Sequence, residues 1–314
     1  MPEVVSLAES YANCMRVAKA QARNFYYGFR LLPAEKHRAL CALYAFMRWV
    51  DDISDDPGDS VAAKSRGMAL ARAAVDRAAS GKTDAGPVFL PALADTIAKY
   101  RIPRSYLDEL IAGAEMDLQE AAYQTFDDLR VYCHRVAGIV GQCCVHVFGF
   151  EDARALELAD RLGLAFQLTN ILRDVAQDYA LGRVYLPQED LERFVCRRED
   201  LPAAPPSRAT RDLFRFQAER ARGFYEEGAA LLRLVGADSR AALWALARIY
   251  GGLLKKMEAR DYDVVSARVG LSAVEKTWVL VRARFGLWSE ENGFETHSDP
   301  GRGPGRAVVG SGSR

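Results

Sequence analysis

The chain has 314 residues, half of them hydrophobic, with 42 Lys and Arg balanced by 42 Asp and Glu. That composition supplies a sizeable core, argues against global disorder, and lacks the basic excess of a nucleic-acid binder. Six cysteines and four histidines match neither a disulfide framework nor zinc-ligand spacing, so a reduced, cytoplasmic setting is expected.

The N-terminal stretch carries Glu3, Glu9, Arg16 and Lys19 and has no signal-peptide core. Apolar residues then recur at three- and four-residue spacing through Ala/Leu/Arg-rich segments. Alternating β-branched runs are absent, so the predicted fold class is all-α. Helices are predicted near 4–23, 34–54, 61–79, 88–100, 103–120, 126–148, 153–180, 207–235, 238–262 and 272–287. Pro57-Gly58, the stretch from Gly81 to Pro87 and LPAAPPS at 201–207 separate them. Thr125 and Asp128 have capping-box spacing, and Pro33 and Pro103 suit first-turn positions. The longest uncharged run, 136–150, is shorter than the ~18 residues a membrane span needs. No linker demands two units, so residues 1–288 are expected to form one domain and 289–314, rich in Gly, Ser and charge, a disordered tail. GRGPGR in that tail follows no strand, and GKT at 81–83 lacks the earlier P-loop glycine, so neither points to a nucleotide.

Two helices carry acids in register. In ALYAFMRWVDDISDD, Tyr44, Arg48, Asp51 and Asp55 share a stripe about 60° wide, with Asp52 further round. In AFQLTNILRDVAQDYALGRVYLP (165–187), Gln167, Asn170, Asp174 and Asp178 fall within about 80° on an otherwise apolar helix. Each set alone also fits a solvated face or an acidic helix end. Facing each other across a cavity, however, such carboxylates repel unless cations sit between them. Mg²⁺, with Mn²⁺ as a substitute, suits hard oxygen donors completed by substrate phosphates, and Arg48 and Arg173 suit phosphate oxygens. Acidic helices, metal and diphosphate together point to ionisation of an allylic diphosphate inside a dry cavity.

NFYYGFRLLP (24–33), ALYAFMRWVDDISD (42–55), YCHRVAGIVG (132–141), the 165–187 segment and MEARDYDVVSAR (257–268) resemble, in order and spacing, the squalene/phytoene synthase family. The resemblance covers about residues 10–285 and implies a single-domain isoprenoid-synthase helical bundle around a central cavity. It implies metal binding by Asp51, Asp52 and Asp55 in one motif and by Asn170, Asp174 and Asp178 in the other. Arg48 and Arg173 resemble diphosphate contacts, Tyr44 the aromatic beside the first metal site, and Phe25 and Tyr27 pocket-shaping residues. Val136, Gly138 and Gly141 resemble a kinked helix that gives the prenyl chain room; close helix packing is the other reading of those glycines. Arg183 and Tyr185 resemble a flap, Tyr250 and Arg268 late diphosphate contacts, and Tyr132 either faces the intermediate or belongs to the core. Asn24 stands where many members carry Ser.

The implied activity is head-to-head prenyl transfer, with two farnesyl diphosphates condensing through presqualene diphosphate as the first reading. NADPH joins only if the product is squalene. Phytoene formation from two geranylgeranyl diphosphates, or dehydrosqualene formation, is the alternative; a non-catalytic assembly factor and a terpene cyclase are remoter. The expected partners are prenyl diphosphates, not nucleic acid, with transient peripheral membrane contact for product release and a monomer or weak dimer.

Overall fold

The computed structural model describes residues 5–56, 58–118 and 122–287. The expected tail at 289–314 and the Pro57 breaker therefore lie outside the described residues. Helix α1 (Leu7–Gln21) opens on a capping box between Ser6 and Glu9, and α2 (Arg23–Phe29) follows almost at once. Helices α3 (Ala34–Asp55) and α4 (Val61–Ala79) come next, then α5 (Leu90–Tyr100), which stops at Arg101 in the left-handed conformation. Helix α6 (Arg104–Met116) ends with Asp117 as its C-cap. The Thr125–Asp128 capping box opens α7 (Phe126–Cys133). This runs through a π-helical turn, His134–Gly138, into α8 (Ile139–Phe148), where the Ile139 N–H donates to the His134 carbonyl.

The longest element, α9 (Arg154–Ala180), runs through the middle and packs on α8, the π-turn, α11 and α13. Short α10 (Gln188–Arg193) and a 3-10 turn occupy the segment after it, for which the sequence pattern predicts no helix. The helix predicted over 207–235 is two, α11 (Arg208–Gly228) and α12 (Leu231–Leu234); α13 (Arg240–Ala259) and α14 (Ala273–Arg284) complete the bundle. Among the described residues there is no strand, only two isolated bridges. The all-α expectation holds. Helix α2 is absent from the predicted set because seven residues are too few for helical periodicity to show.

The seam between α8, the π-turn and α9 fixes the cavity wall, and glycines make it. A Cβ on Gly163 would meet the Ala137 carbonyl oxygen at 2.5 Å, and one on Gly141 would meet the Ala159 carbonyl oxygen at 2.6 Å. A Cβ on Gly138 would run into the Asp160 carboxylate, itself bonded to His134 at 2.6 Å. Packing thus explains Gly138 and Gly163 directly. The π-turn is the local adjustment that lets two helices meet at backbone distance while one bends past the other.

Gly163→Ala is expected to destabilise the fold by about 1–3 kcal/mol of overpacking, outweighing the ~0.5–1 kcal/mol gained by removing a helical glycine. Gly223 in α11 has open space where its Cβ would go, so Gly223→Ala should raise the melting temperature. Thermal melts of the two variants check the opposite signs.

Candidate active site

A cavity of about 370 Å³ is lined by the C-terminal halves of α3 and α6 and the middle of α9. Phe25 and Phe29 of α2, Leu43 and Met47 of α3, and Leu243 and Leu246 of α13 give it apolar walls. Its polar end carries Asp51, Asp55, Asp117, Gln167, Asn170 and Arg183. A greasy chamber with acids and an arginine at one end suits a molecule with a charged head and a long apolar body.

The predicted α3 stripe holds in part. Tyr44, Asp51 and Asp55 all line the cavity. Asp52 does not: it lies further round the helix, exposed and paired with Arg48 one turn back, and Arg48 is off the lining as well. On α9, Gln167 and Asn170 line the cavity, while Asp174 and Asp178 continue the same face towards its rim. Asp174 is gripped by Arg173 and by both Nε and Nη2 of Arg268, at 3.0 and 2.8 Å. Arg183 donates to Asp55 at 2.9 Å, tying the segment after α9 to the end of α3.

That segment is placed by a helix stop built into ALGRVYLP. Gly182 takes φ +77°, its N–H donates to the Tyr179 carbonyl, and the Arg183 N–H donates back to the Asp178 carbonyl. This Schellman closure turns the chain back across the site. An Ala122–Val184 bridge and a bond from the Gln188 N–H to the Tyr123 carbonyl then hold it down. Tyr185 is consequently buried on the cavity wall, its ring stacked on Tyr132 with centroids 5.1 Å apart. Tyr250 is buried deeper, stacked at 4.4 Å on Phe166 and beside Phe25.

Two expected pocket residues lie elsewhere. Tyr27 sits about 200° round α2 from Phe25; it is off the lining, and Lys276 of α14 lies 5.5 Å above its ring. Gly138 packs against Asp160 rather than making room for a chain, whereas Val136 and Gly141 do line the cavity. The Asn24 side chain lies outside the described ones.

Asp117 is a residue the sequence pattern missed. It accepts hydrogen bonds from the hydroxyls of both Tyr132 and Tyr185, each at 3.0 Å. It also belongs to the electrostatic field of both acidic motifs, raising the carboxyl pKa of Asp51 on one side and of Asp178 on the other. One clue was available: a carboxylate at a helix C-terminus opposes the macrodipole, and Asp117 caps α6 as Asp51 and Asp55 end α3.

The acids crowd one another. Burial, then Asp55, Asp117 and Asp52, raise Asp51 to about 7 despite Arg48. Although Asp51 has accessible surface, that surface faces the cavity. Asp178 is likewise raised to about 7, by burial and then by Asp174 and Asp117. Burial also works against ionisation of Asp174, but Arg173 and Arg268 hold it below the usual carboxylate range. Among the described residues no three acids converge closely enough to form a ready metal cage. The donor set nevertheless suits a hard divalent cation: the carboxylates of Asp51, Asp55 and Asp117 on the cavity lining, and a buried Asn170 Oδ1 that lacks a hydrogen-bond partner.

The sign of the pH effect follows. Unfolded, Asp51 and Asp178 titrate near 4; folded, near 7. Between those values the folded protein keeps protons the unfolded chain has released, so their contribution to stability falls as pH rises through that window. Asp178→Asn should therefore raise the melting temperature of chelator-treated protein at pH 8 and have little effect near pH 4. An unchanged or lower melting temperature at pH 8 would refute the crowding.

The squalene/phytoene synthase family model matches residues 18–275. The phytoene synthase of Mycobacterium tuberculosis is 35% identical over 89% of this chain and 92% of its own. The 15-cis-phytoene synthase of Synechocystis is 34% identical over 88% and 84%. A dehydrosqualene synthase crystal structure with bound ligand superposes with a TM-score of 0.82 at 28% identity, covering 90% of this chain and 97% of that one. With its all-α cavity and facing acidic motifs, the chain belongs to the squalene/phytoene synthase family of head-to-head prenyltransferases.

Proposed function

We propose that the protein is a phytoene synthase, condensing two molecules of geranylgeranyl diphosphate. The observation that carries this reading is the consistent naming of its relatives, matched over nearly their full length at about one-third identity. It reverses the order of the two readings left by the sequence, in which the pair of C15 substrates came first.

The residues divide the work by position. Asp51, Asp55, Asn170, Asp174 and Asp178 would hold Mg²⁺, which when bound neutralises charge on the departing diphosphate. Arg48, Arg173, Arg183 and Arg268 now sit on carboxylates. Diphosphate oxygens are acceptors of the same geometry, so Arg173, Arg183 and Arg268 would be available to substrate if cations neutralised Asp174 and Asp55. The apolar walls keep water from the allylic cation long enough for the second substrate's 2,3-double bond to attack. Proton loss then closes a cyclopropylcarbinyl diphosphate. A second ionisation and rearrangement follow, and final proton loss gives the hydrocarbon without a reductant. Tyr132 and Tyr185 both line the cavity beside this path, and an electron-rich ring near a carbocation stabilises it. Asp117 fixes both rings by their hydroxyls.

Purified protein with geranylgeranyl diphosphate and Mg²⁺, without NADPH, should release a C40 hydrocarbon; farnesyl diphosphate should turn over more slowly. Turnover of farnesyl diphosphate alone would replace this reading with a C15 one, such as dehydrosqualene synthesis, and turnover of neither would refute both. Asp51→Asn and Asp174→Asn should each cost more than about a hundredfold in rate with the helical circular-dichroism spectrum intact.

A further inference from the structure

Helix α14 shows solvent an apolar stripe that no described part of the chain covers. Val274, Trp278 and Phe285 recur at helical spacing and fall within about 40° on the wheel, with half-buried Val281 beside them. Val274 is 79% exposed, Trp278 61% and Phe285 72%, and Leu287 just beyond is 56% exposed. Scattered exposed apolar residues are ordinary, but a contiguous stripe with a tryptophan and a phenylalanine marks an interaction surface. Arg282 and Arg284 flank it, each about 80° from Val274 on opposite sides. Arg282 shares the Trp244 ring with Arg248 of α13, at 5.6 and 6.0 Å, which brings a further cation to this edge. The one carboxylate in α14, Glu275, is taken up by the Ser272 cap and by Lys256.

We infer that this face of α14 docks the enzyme on an anionic lipid bilayer. An apolar stripe bearing an aromatic anchor and bordered by arginines is the pattern of a helix lying in the plane of the headgroups, with the arginine stems snorkelling to phosphate. Lying on, rather than spanning, agrees with the finding that no described helix is long and apolar enough to cross a membrane. The location is suited to delivery. Helix α14 packs on α13 and α2, whose Leu243, Leu246, Phe25 and Phe29 form the apolar wall of the cavity on their other side. A product without polar groups has nowhere to go in water, and this arrangement puts the lipid on the far side of α14 from the chamber wall formed by α13 and α2. Only this rationale rests on the proposed reaction; docking is read without turnover, so either can fail alone.

The test is flotation of the full-length protein with vesicles of phosphatidylcholine alone or mixed with phosphatidylglycerol, alongside size-exclusion chromatography. The wild-type chain should bind the mixed vesicles and bind the neutral ones more weakly. The variant Val274→Ser/Trp278→Ser/Phe285→Ser should lose at least tenfold in partitioning while keeping its melting temperature and its turnover of detergent-dispersed substrate. Arg282→Glu/Arg284→Glu should lose the preference for phosphatidylglycerol. Wild-type protein that stays with the aqueous phase, or a triple variant that binds as well as wild type, overturns the inference. So does a wild-type dimer that becomes a monomer in the triple variant, because the stripe would then be an interface between copies.

Discussion

Mutual repulsion among carboxylates is the constraint around which this molecule is arranged. Acids from the ends of α3, α6 and α9 meet at one end of an apolar chamber, and burial makes their charge costly. The fold offsets that cost in two ways. Arginines cover some of the acids: Arg48 on Asp52, Arg183 on Asp55, and Arg173 with Arg268 on Asp174. Asp51 and Asp178 instead hold on to protons up to about pH 7. Cations bound among such acids would relieve that repulsion, so the cost of crowding them would become binding energy for a positively charged ligand.

Rigidity has to back such a site, since acids free to splay apart would relieve their own repulsion. Helix α9 provides it. Buried on many sides, it meets the π-turn and α8 at glycine contacts so close that main-chain atoms replace side chains at the seam. The same helix ends in a hydrogen-bonded stop at Gly182 that returns Arg183 and Tyr185 over the chamber. Scaffold, acid ladder and cover therefore come from one continuous stretch, with few adjustable joints between them. Along that polar interruption Gln167 and Asn170 line the cavity and Asp174 is held by two arginines.

What the sequence made legible follows from periodicity. The acid ladders on α3 and α9 could be read because both helices are long and regular, so a 100° step carries residue numbers directly into a shared face. The rest depended on geometry that does not repeat. Tyr27 and Phe25 look equivalent in NFYYGF until the short helix α2 turns one to the cavity and the other to α14. Gly138 and Gly141 look alike as small residues in one kinked helix, yet only Gly141 reaches the cavity lining. Asp52 sits beside Asp51 in sequence but is directed to Arg48, because adjacent helical residues diverge by 100°. Asp117 was invisible for the opposite reason: a single acid at a helix end forms no pattern, and its importance comes from two tyrosines and two distant motifs that only folding assembles.

Arginine placement shows why the two acidic motifs must be considered together. Asp55 is bound by a residue from the segment after α9, and Asp174 by Arg268, 94 positions later in the chain. Each latch ties together elements distant in sequence, so a cation bound at one motif would free an arginine whose attachment holds another part of the mouth. Under the proposed function a diphosphate would need both, metal on the acids and guanidinium released to its oxygens. A ligand bearing only one of the two charges would satisfy half of the exchange and leave a carboxylate or a guanidinium without its partner. Selectivity for a metal-bound diphosphate over a free anion or a free cation would then follow from how the arginines neutralise the acids. It does not require a contact that recognises the metal and the diphosphate as a unit.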